Sequence, residues 1–122
     1  IYTTALATPV AEAACAALRR AEDPQLRDRL DRHARDLHDR LRERDMIPDR
    51  PPGHIVPVVL GESSRAQAVA RELWRRGMFA PAIRPPTVPD GTARLRISLS
   101  ALHTDEQIQR LADALVAALS WS

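Results

Sequence analysis

Lysine is absent from this sequence, and cysteine and aromatic residues are scarce. All 18 basic residues are therefore arginines, and 16 acidic residues leave a net charge of only +2. The one cysteine, Cys15, excludes an internal disulfide bond and a zinc site built from several cysteines, which fits a reducing cytoplasm. With aromatic residues at 3%, the core must be built from Ala, Leu, Val and Ile.

Charges of both signs alternate along residues 28–45, which read DRLDRHARDLHDRLRERD. This pattern is typical of a solvent-exposed helix face and not of a basic stripe, so we expect no nucleic-acid partner. No apolar run approaches a bilayer span and no signal peptide is recognisable, so we expect no membrane partner and a cytoplasmic location. A chain that opens on Ile1 instead of Met also suggests a fragment.

Two helices are predicted at the start of the chain. Residues 5–21 are rich in Ala with Pro9 in the first turn, and their small side chains suit close packing against something else. Asp23 followed by Pro24 is typical of an N-cap and a first helical position. The second helix should run to about residue 45, with an inward stripe of Leu26, Leu30, His33, Leu37 and Leu41.

Three short strands are predicted after a Pro-rich loop at 48–53, at residues 54–60, 78–83 and 92–100. Pro57 lacks an N–H group, so the first strand should lie at an edge of the sheet or carry a bulge. The second and third strands, which the loop at 84–91 joins, should pair antiparallel.

Two further helices complete the predicted order. Ser64 and Gln67 have capping-box spacing ahead of a helix that should stop at Gly77. Thr104 and Gln107 repeat this spacing ahead of a last helix that reaches about residue 120. The pattern predicts an α+β fold, a small antiparallel or mixed sheet with helices on one face, preceded by two helices.

The third predicted strand carries the candidate binding residues. Leu95, Ile97 and Leu99 should point to one face of the sheet, because strand side chains alternate. The opposite face receives Arg94, Arg96, Ser98 and Ser100. An arginine on a strand offers a rigid two-pronged partner for a carboxylate, although a merely solvated face explains the same periodicity.

The loop before this strand is stiffened by Pro85, Pro86 and Pro89. A stiff loop could hold Arg84 and Thr87 in place at low entropic cost. The alternative is that the prolines only shape a turn between two strands, and composition does not decide between the two.

A family resemblance extends over these residues. Residues 81–111, PAIRPPTVPDGTARLRISLSALHTDEQIQRL, resemble the C-terminal signature of the pyridoxal-phosphate-dependent 2-oxoamine synthases. IYTTAL at 1–6 and HIVPVVLG at 54–61 are similar to two further blocks of the family, in the same order. The form IRPPTVP is more like the 8-amino-7-oxononanoate synthase branch than the 5-aminolevulinate synthase, 2-amino-3-ketobutyrate CoA ligase or serine palmitoyltransferase branches.

The resemblance implies a fold-type-I enzyme, homodimeric and cytoplasmic, that uses pyridoxal 5'-phosphate as an electron sink. Such an enzyme condenses an amino acid with an acyl-CoA, here L-alanine with pimeloyl-CoA as in biotin biosynthesis, and releases CoA and carbon dioxide. Residues 23–122 would be its C-terminal small domain. Residues 1–22 would be a helix linking that domain to a large domain missing from this sequence.

The resemblance also implies roles for single residues. Arg96, the second arginine of RLRI, would grip the amino-acid carboxylate, and Thr87 of PTVP would contact substrate. Thr3 and Thr4 would reach the cofactor phosphate of the neighbouring subunit. Arg84 is placed with the substrate-binding residues because it shares the loop, near the acyl chain or its carboxylate.

The sequence departs from the family pattern in having no lysine to bond the cofactor. We therefore predict that this chain contains no catalytic residue, that the missing large domain binds the cofactor covalently, and that the isolated chain is inactive. We also predict no metal ligand in this chain. Two alternatives stay open: another 2-oxoamine synthase, or a non-catalytic domain that binds an acidic ligand on the face of Arg94 and Arg96. An exposed apolar surface on the helix at 5–21 would count against the second.

Overall fold

The computed structural model describes residues 5–44, 46–47 and 51–119. Four helices and three strands occur in the order that the sequence predicts, and the α+β fold is confirmed. The elements are α1 (Thr8–Ala21), α2 (Pro24–Arg42), β1 (Ile55–Gly61), α3 (Ser63–Arg75), β2 (Ala82–Ile83), β3 (Ala93–Ser98) and α4 (Asp105–Leu119).

Two of the predicted helix starts are confirmed by their hydrogen bonds. The side chain of Asp23 accepts a hydrogen bond of 2.9 Å from the N–H of Gln25, and Pro24 occupies the first turn of α2. Ahead of α4, the N–H of Thr104 donates to Gln107 Oε1 at 2.9 Å. The N–H of Gln107 donates in return to Thr104 Oγ1 at 3.2 Å, which completes the capping box.

The capping box predicted at Ser64 and Gln67 is wrong. Helix α3 begins at Ser63, and its N-cap residue is Glu62, which makes no side-chain cap hydrogen bond. The chain turns sharply at Gly61, whose φ of 79° lies in the region that favours glycine. Because the turn follows β1 directly, Ser64 already lies inside the first helical turn and is too late to act as the cap.

The strand predicted at 78–83 is much shorter in the structure, where only Ala82 and Ile83 pair with β3. The reason lies at the end of α3, which stops at Gly77 (φ 78°) as predicted. The N–H of Met78 donates back to the carbonyl of Leu73 at 2.9 Å, in the arrangement that closes many helices. Since that N–H serves the helix, the first part of the predicted strand does not join the sheet.

Strand β3 is the central strand of an antiparallel sheet ordered β1-β3-β2. The N–H of Leu99 donates to the carbonyl of His54 at 2.8 Å, so His54 and Leu99 form a hydrogen-bonded pair. Hydrogen-bonded and non-hydrogen-bonded pairs alternate along an antiparallel ladder, and this bond shows which pairs are which. Pro57 lies opposite Arg96 in a pair that exchanges no hydrogen bonds across the β1–β3 ladder. Its missing N–H therefore faces the outer edge, and the predicted edge position of this strand is confirmed.

The core lies between one face of the sheet and helices α2, α3 and α4. Helix α3 contacts all three strands, and α4 packs on α2 and α3. The largest fully buried side chains are Leu37, Leu41, Val58, Leu73, Leu95, Ile108 and Leu115. The described aromatic side chains, Trp74 and Phe79, are both exposed, so the core is aliphatic as the composition requires.

Helix α1 differs from the other helices because none of its residues is buried. Leu6, just before it, and Val10 and Leu18 within it are exposed apolar side chains. Its main packing contact among the described elements is with α2. Among the described residues, no helix combines the length and apolar character that crossing a membrane requires.

Candidate functional site

The face of the sheet turned away from α3 is called the open face here. The alternation predicted along β3 is confirmed, since Leu95 and Ile97 are buried while Arg96 and Ser98 are exposed. Residues paired across an antiparallel sheet share a face. By this rule the open face comprises Ile55, Pro57, Val59, Ile83, Arg94, Arg96 and Ser98.

The two arginines of the open face differ in their partners. Arg94 is half-buried, and its Nε donates to the carbonyl of Thr92 at 3.0 Å. Arg96 is exposed, and within the described part of the chain its guanidinium has no hydrogen-bond or ion-pair partner. The backbone N–H of Arg96 donates to the carbonyl of Pro81 at 3.0 Å, and its chain neighbours Leu95 and Ile97 pair with β1, so the residue is held in the middle of the sheet. Arg96 is therefore an available cation on a rigid support.

Apolar side chains surround Arg96 on the neighbouring strand. Pro57 lies directly opposite it, and Ile55 and Val59 stand on the same face at 46% and 42% exposure. The sequence alone does not reveal this surrounding, because both alternating sets of residues in β1 are apolar. An arginine among apolar side chains interacts more strongly with an anion once water is displaced.

Arg84 and Thr87 lie together on the loop between β2 and β3. The N–H of Thr87 donates to the carbonyl of Arg84 at 3.0 Å, and both residues are exposed. Thr92 Oγ1 closes the far end of the loop by donating to the carbonyl of Pro89 at 2.7 Å. No hydrogen bond or ion pair in the described ranges joins Arg84 or Thr87 to Arg96, so their common site remains a prediction.

The described residues do not fit covalent binding of pyridoxal phosphate. The cofactor bonds to an amine, and the sequence contains no lysine. Thr3 and Thr4, predicted to reach its phosphate, lie outside the described residues. The described ranges also contain no group of three His, Cys, Asp or Glu side chains that could hold a metal ion. The chemistry that the open face offers is therefore anion binding by Arg96.

A polar cluster fixes the end of β3 to the helices. The Nδ1 of buried His33 lies 3.3 Å from the carbonyl oxygen of Ser100, and its Nε2 lies 3.1 Å from Asp105 Oδ1. Both of these oxygens are acceptors, and which ring nitrogen donates depends on the tautomer of His33. The N–H of Ser100 in turn donates to Nδ1 of His103 at 3.1 Å. These contacts join α2 to the start of α4 through one turn of the chain.

Helix α3 carries a carboxyl group with a perturbed pKa on its solvent side. Arg76 Nε donates to Glu72 Oε1 at 2.9 Å, and this bond holds the pKa of the Glu72 carboxyl below its ordinary value. A longer contact of 3.4 Å from Arg75 acts in the same direction. The group lies on a helix that covers the sheet and belongs to no described binding surface.

The fold and the open face define a small α+β domain that presents Arg96, which has no side-chain partner among the described residues, from the middle of its sheet. The model of the family "Aminotransferase class I and II" matches residues 1–115. The match extends over nearly the whole chain, and the chain belongs to this family.

Relatives and solved structures agree with this assignment. An 8-amino-7-oxononanoate synthase from Aromatoleum aromaticum is 57% identical over 70 residues, which are 57% of this chain and 18% of that protein. One from Methylococcus capsulatus is 44% identical over 120 residues, 98% of this chain and 31% of that protein. A serine palmitoyltransferase from S. paucimobilis with a bound PLP–myriocin aldimine has a TM-score of 0.87 at 31% identity, covering 97% of this chain and 30% of that one. The chain thus spans less than a third of the length of these relatives.

Proposed function

We propose that this chain is the substrate-binding C-terminal part of a pyridoxal-phosphate-dependent acyltransferase. The whole enzyme would condense an amino acid with an acyl-CoA and release CoA and carbon dioxide, in the manner of 8-amino-7-oxononanoate synthase. L-Alanine and pimeloyl-CoA are the proposed substrates, as in biotin biosynthesis in the cytoplasm. The family match and the relatives named 8-amino-7-oxononanoate synthase support the proposal.

The observation that carries the proposal is the difference between Arg96 and Arg94. A substrate carboxylate needs an arginine whose donors are free and whose position is fixed. Within the described part of the chain Arg96 meets both conditions, whereas Arg94 already donates to the carbonyl of Thr92. Arg96 would bind the amino-acid carboxylate through two parallel N–H groups and so fix the orientation of the α-carbon. The apolar side chains around it would exclude water and strengthen the contact.

The loop residues would complete the substrate site. Thr87 offers a hydroxyl group as donor or acceptor, and Arg84 offers a second cation near the acyl chain or its carboxylate. Both side chains are exposed on a loop whose ends are held by backbone and side-chain hydrogen bonds. A substrate that bridges the loop and β3 would bring Thr87 and Arg84 into one site with Arg96.

The cofactor and the catalytic groups would belong to a large domain outside this chain. Pyridoxal phosphate, when bound there, would supply the electron sink of the reaction. Thr3 and Thr4 would contact its phosphate in the neighbouring subunit of a homodimer. The isolated chain would be inactive, since it has no lysine for the covalent link. Exposed apolar residues at Leu6, Val10 and Leu18 favour a helix α1 that docks on such a domain.

Two alternatives make different demands. A non-catalytic domain that binds an acidic ligand would use the same arginines, but it gives no reason for the exposed apolar residues of α1. Another 2-oxoamine synthase would use Arg96 in the same way and differ in its acyl-CoA. The likeness to a serine palmitoyltransferase favours this second alternative over the first.

A chimeric enzyme tests the proposal. In it, this chain replaces the matching C-terminal third of the 8-amino-7-oxononanoate synthase from Methylococcus capsulatus, and CoA release is measured with alanine and pimeloyl-CoA. Arg96→Ala should raise the KM for alanine at least about thirtyfold, because truncating one partner of a close charge pair costs about 2 kcal/mol or more. Arg94→Ala is the matched control and should change this KM by less than about threefold.

Equal losses for Arg96→Ala and Arg94→Ala would contradict the assignment of the carboxylate to Arg96. An active chimera whose alanine KM does not respond to Arg96→Ala would remove Arg96 from the site. Substituting other acyl-CoA thioesters and amino acids in the same assay separates the 8-amino-7-oxononanoate synthase activity from that of another 2-oxoamine synthase.

A further inference from the structure

Arg96 has a proline beside it on each side of its strand. On β1, Pro57 lies directly opposite Arg96 in the register. On the other side, the N–H of Arg96 donates at 3.0 Å to the carbonyl of Pro81, the residue just before β2. This pair continues the register in which Ala82 lies opposite Leu95. Arg96 is therefore placed between two prolines in the middle of the sheet.

Both proline rings share the open face with the side chain of Arg96, because residues paired across an antiparallel sheet project to the same face. Pro57 and Arg96 form a pair without hydrogen bonds, and in such pairs the Cα atoms approach to about 4.5 Å. Both prolines are half-buried. Their rings, called the proline walls here, stand on the two sides of the aliphatic stem of Arg96.

The proline walls offer no group that would capture the guanidinium. A proline ring carries no polar side-chain atom, and the carbonyl of Pro81 already accepts the backbone N–H of Arg96. The carbonyl of Pro57 points to the outer edge of β1, since its pair with Arg96 exchanges no hydrogen bonds. Arg94 differs, because its Nε donates to the carbonyl of Thr92 just before β3.

The walls restrict the stem of Arg96 before any ligand binds. An arginine buries its aliphatic stem along apolar surface while its charged head stays in water. Immobilising a long side chain on binding weakens affinity about threefold to tenfold, and restricting that chain beforehand removes part of this cost. Proline suits the purpose, because its ring fixes φ and has no freely rotating side chain.

We propose that Pro57 and Pro81 are positioning residues for Arg96. Their rings hold the aliphatic stem upright between them, so that the guanidinium is presented on the open face before the substrate arrives. The inference rests on the proposed function in one respect, since Arg96 is taken to bind the amino-acid carboxylate. The holding of the stem is a property of this chain alone and is measurable without catalysis.

NMR relaxation of the Arg96 Nε–H group in the 122-residue chain measures this holding directly. The order parameter of the group should exceed that of the Nε–H group of Arg29, an exposed arginine of α2. Loss of the signal in Arg96→Ala identifies the resonance.

Pro57→Ala and Pro57→Val form a matched pair of variants. Both restore an N–H that points to the outer edge of β1, but only valine keeps a branched apolar side chain beside Arg96. Pro57→Ala should lower the order parameter of the Arg96 Nε–H group, and Pro57→Val should retain most of it. Pro52→Ala, in the exposed loop before β1, is the control and should leave this order parameter unchanged.

Pro81→Ala separates the side-chain wall from the stability of the strand. Alanine restores an N–H that can donate to the carbonyl of Arg96, so the backbone pair gains a donor while the ring is lost. The order parameter of the Arg96 Nε–H group should therefore fall, although hydrogen exchange at the Arg96 backbone amide should not become faster. A role in folding alone would move the two measurements together.

The chimeric enzyme described under the proposed function measures the consequence for binding. Pro57→Ala and Pro81→Ala together should raise the KM for alanine about threefold to tenfold and leave kcat within about twofold. In the Arg96→Ala background, the same two changes should leave this KM within about twofold, because the residue that they position is gone.

Three results would overturn the proposal. The first is an Arg96 Nε–H order parameter no higher than that of Arg29. The second is an order parameter that survives both Pro57→Ala and Pro81→Ala. The third is an active chimera whose alanine KM ignores these two changes or responds to them equally without the Arg96 side chain. An inactive chimera would contradict the proposed function instead, while a lowered order parameter in the two variants would still support the proline walls.

Discussion

The two faces of the sheet are built from alternate residues of the same strand and have opposite properties. On the covered face, Leu95 and Ile97 are almost completely buried under the helices. On the open face, Arg96 and Ser98 are exposed, and Val59 of β1 is a partly exposed residue of the same face. The pleat thus separates the residues that hold the fold together from those left free to bind a ligand. A substitution should therefore affect either stability or binding, according to the face on which it falls.

Leu95→Ala should produce the largest loss of stability on the covered face. The side chain is fully buried at the centre of the sheet, and its removal leaves a cavity that the neighbours only partly fill. The free energy of unfolding should fall by about 2–5 kcal/mol. Urea denaturation of the two chains, followed by circular dichroism, measures this difference.

The open face provides the control for Leu95→Ala. Val59→Thr keeps the branched shape of a strand residue whose side chain is already 42% exposed. It should change the free energy of unfolding by no more than about 0.5 kcal/mol. Losses of similar size from the two substitutions would refute the division of roles between the faces.

His33→Ala should have the next largest effect, because this buried ring holds the covering helices to the end of β3. The substitution removes the contacts of the ring with the Ser100 carbonyl and with Asp105. The Ser100 carbonyl then lacks its histidine partner. We expect a loss of about 1–3 kcal/mol in the free energy of unfolding. The same urea experiment with exposed His54→Ala should show a change below about 0.5 kcal/mol. Equal losses from His33→Ala and His54→Ala would show that the contacts of His33 do not stabilise the fold.

The covered face and most of the elements follow from local signals in the sequence. The alternation of Leu95 and Ile97 with Arg96, and the capping box at Thr104, act within a few residues and need no distant partner. The length of β2 could not be obtained this way. It depends on whether the N–H of Met78 bonds to the helix or to the sheet, and the geometry at Gly77 decides this.

The candidate site was only partly predictable for a similar reason. The periodicity places Arg94 and Arg96 on one face, and it makes them equivalent. Their difference arises from the contact of Arg94 with the Thr92 carbonyl, which depends on how the loop enters the strand. The apolar surrounding at Ile55 and Val59 depends on the register between β1 and β3, which no property of either strand alone determines.

The smallest expected effect is a pH-dependent change in stability caused by Glu72, which lies on the solvent side of α3 and belongs to neither face of the sheet. The hydrogen bond from Arg76 lowers the pKa of Glu72 in the folded chain below its ordinary value of 4.5. A lowered folded-state pKa means that the charged carboxyl stabilises the fold above about pH 4.5 and that this contribution is lost as the pH falls through the folded-state pKa. Glu72→Gln should therefore reduce stability slightly at neutral pH and lose its effect in acid.

Urea denaturation of the chain and of Glu72→Gln, from neutral pH into acid, measures this difference in stability, with Glu12→Gln on α1 as the control. A Glu72→Gln difference that does not shrink in acid would contradict the role of the ion pair.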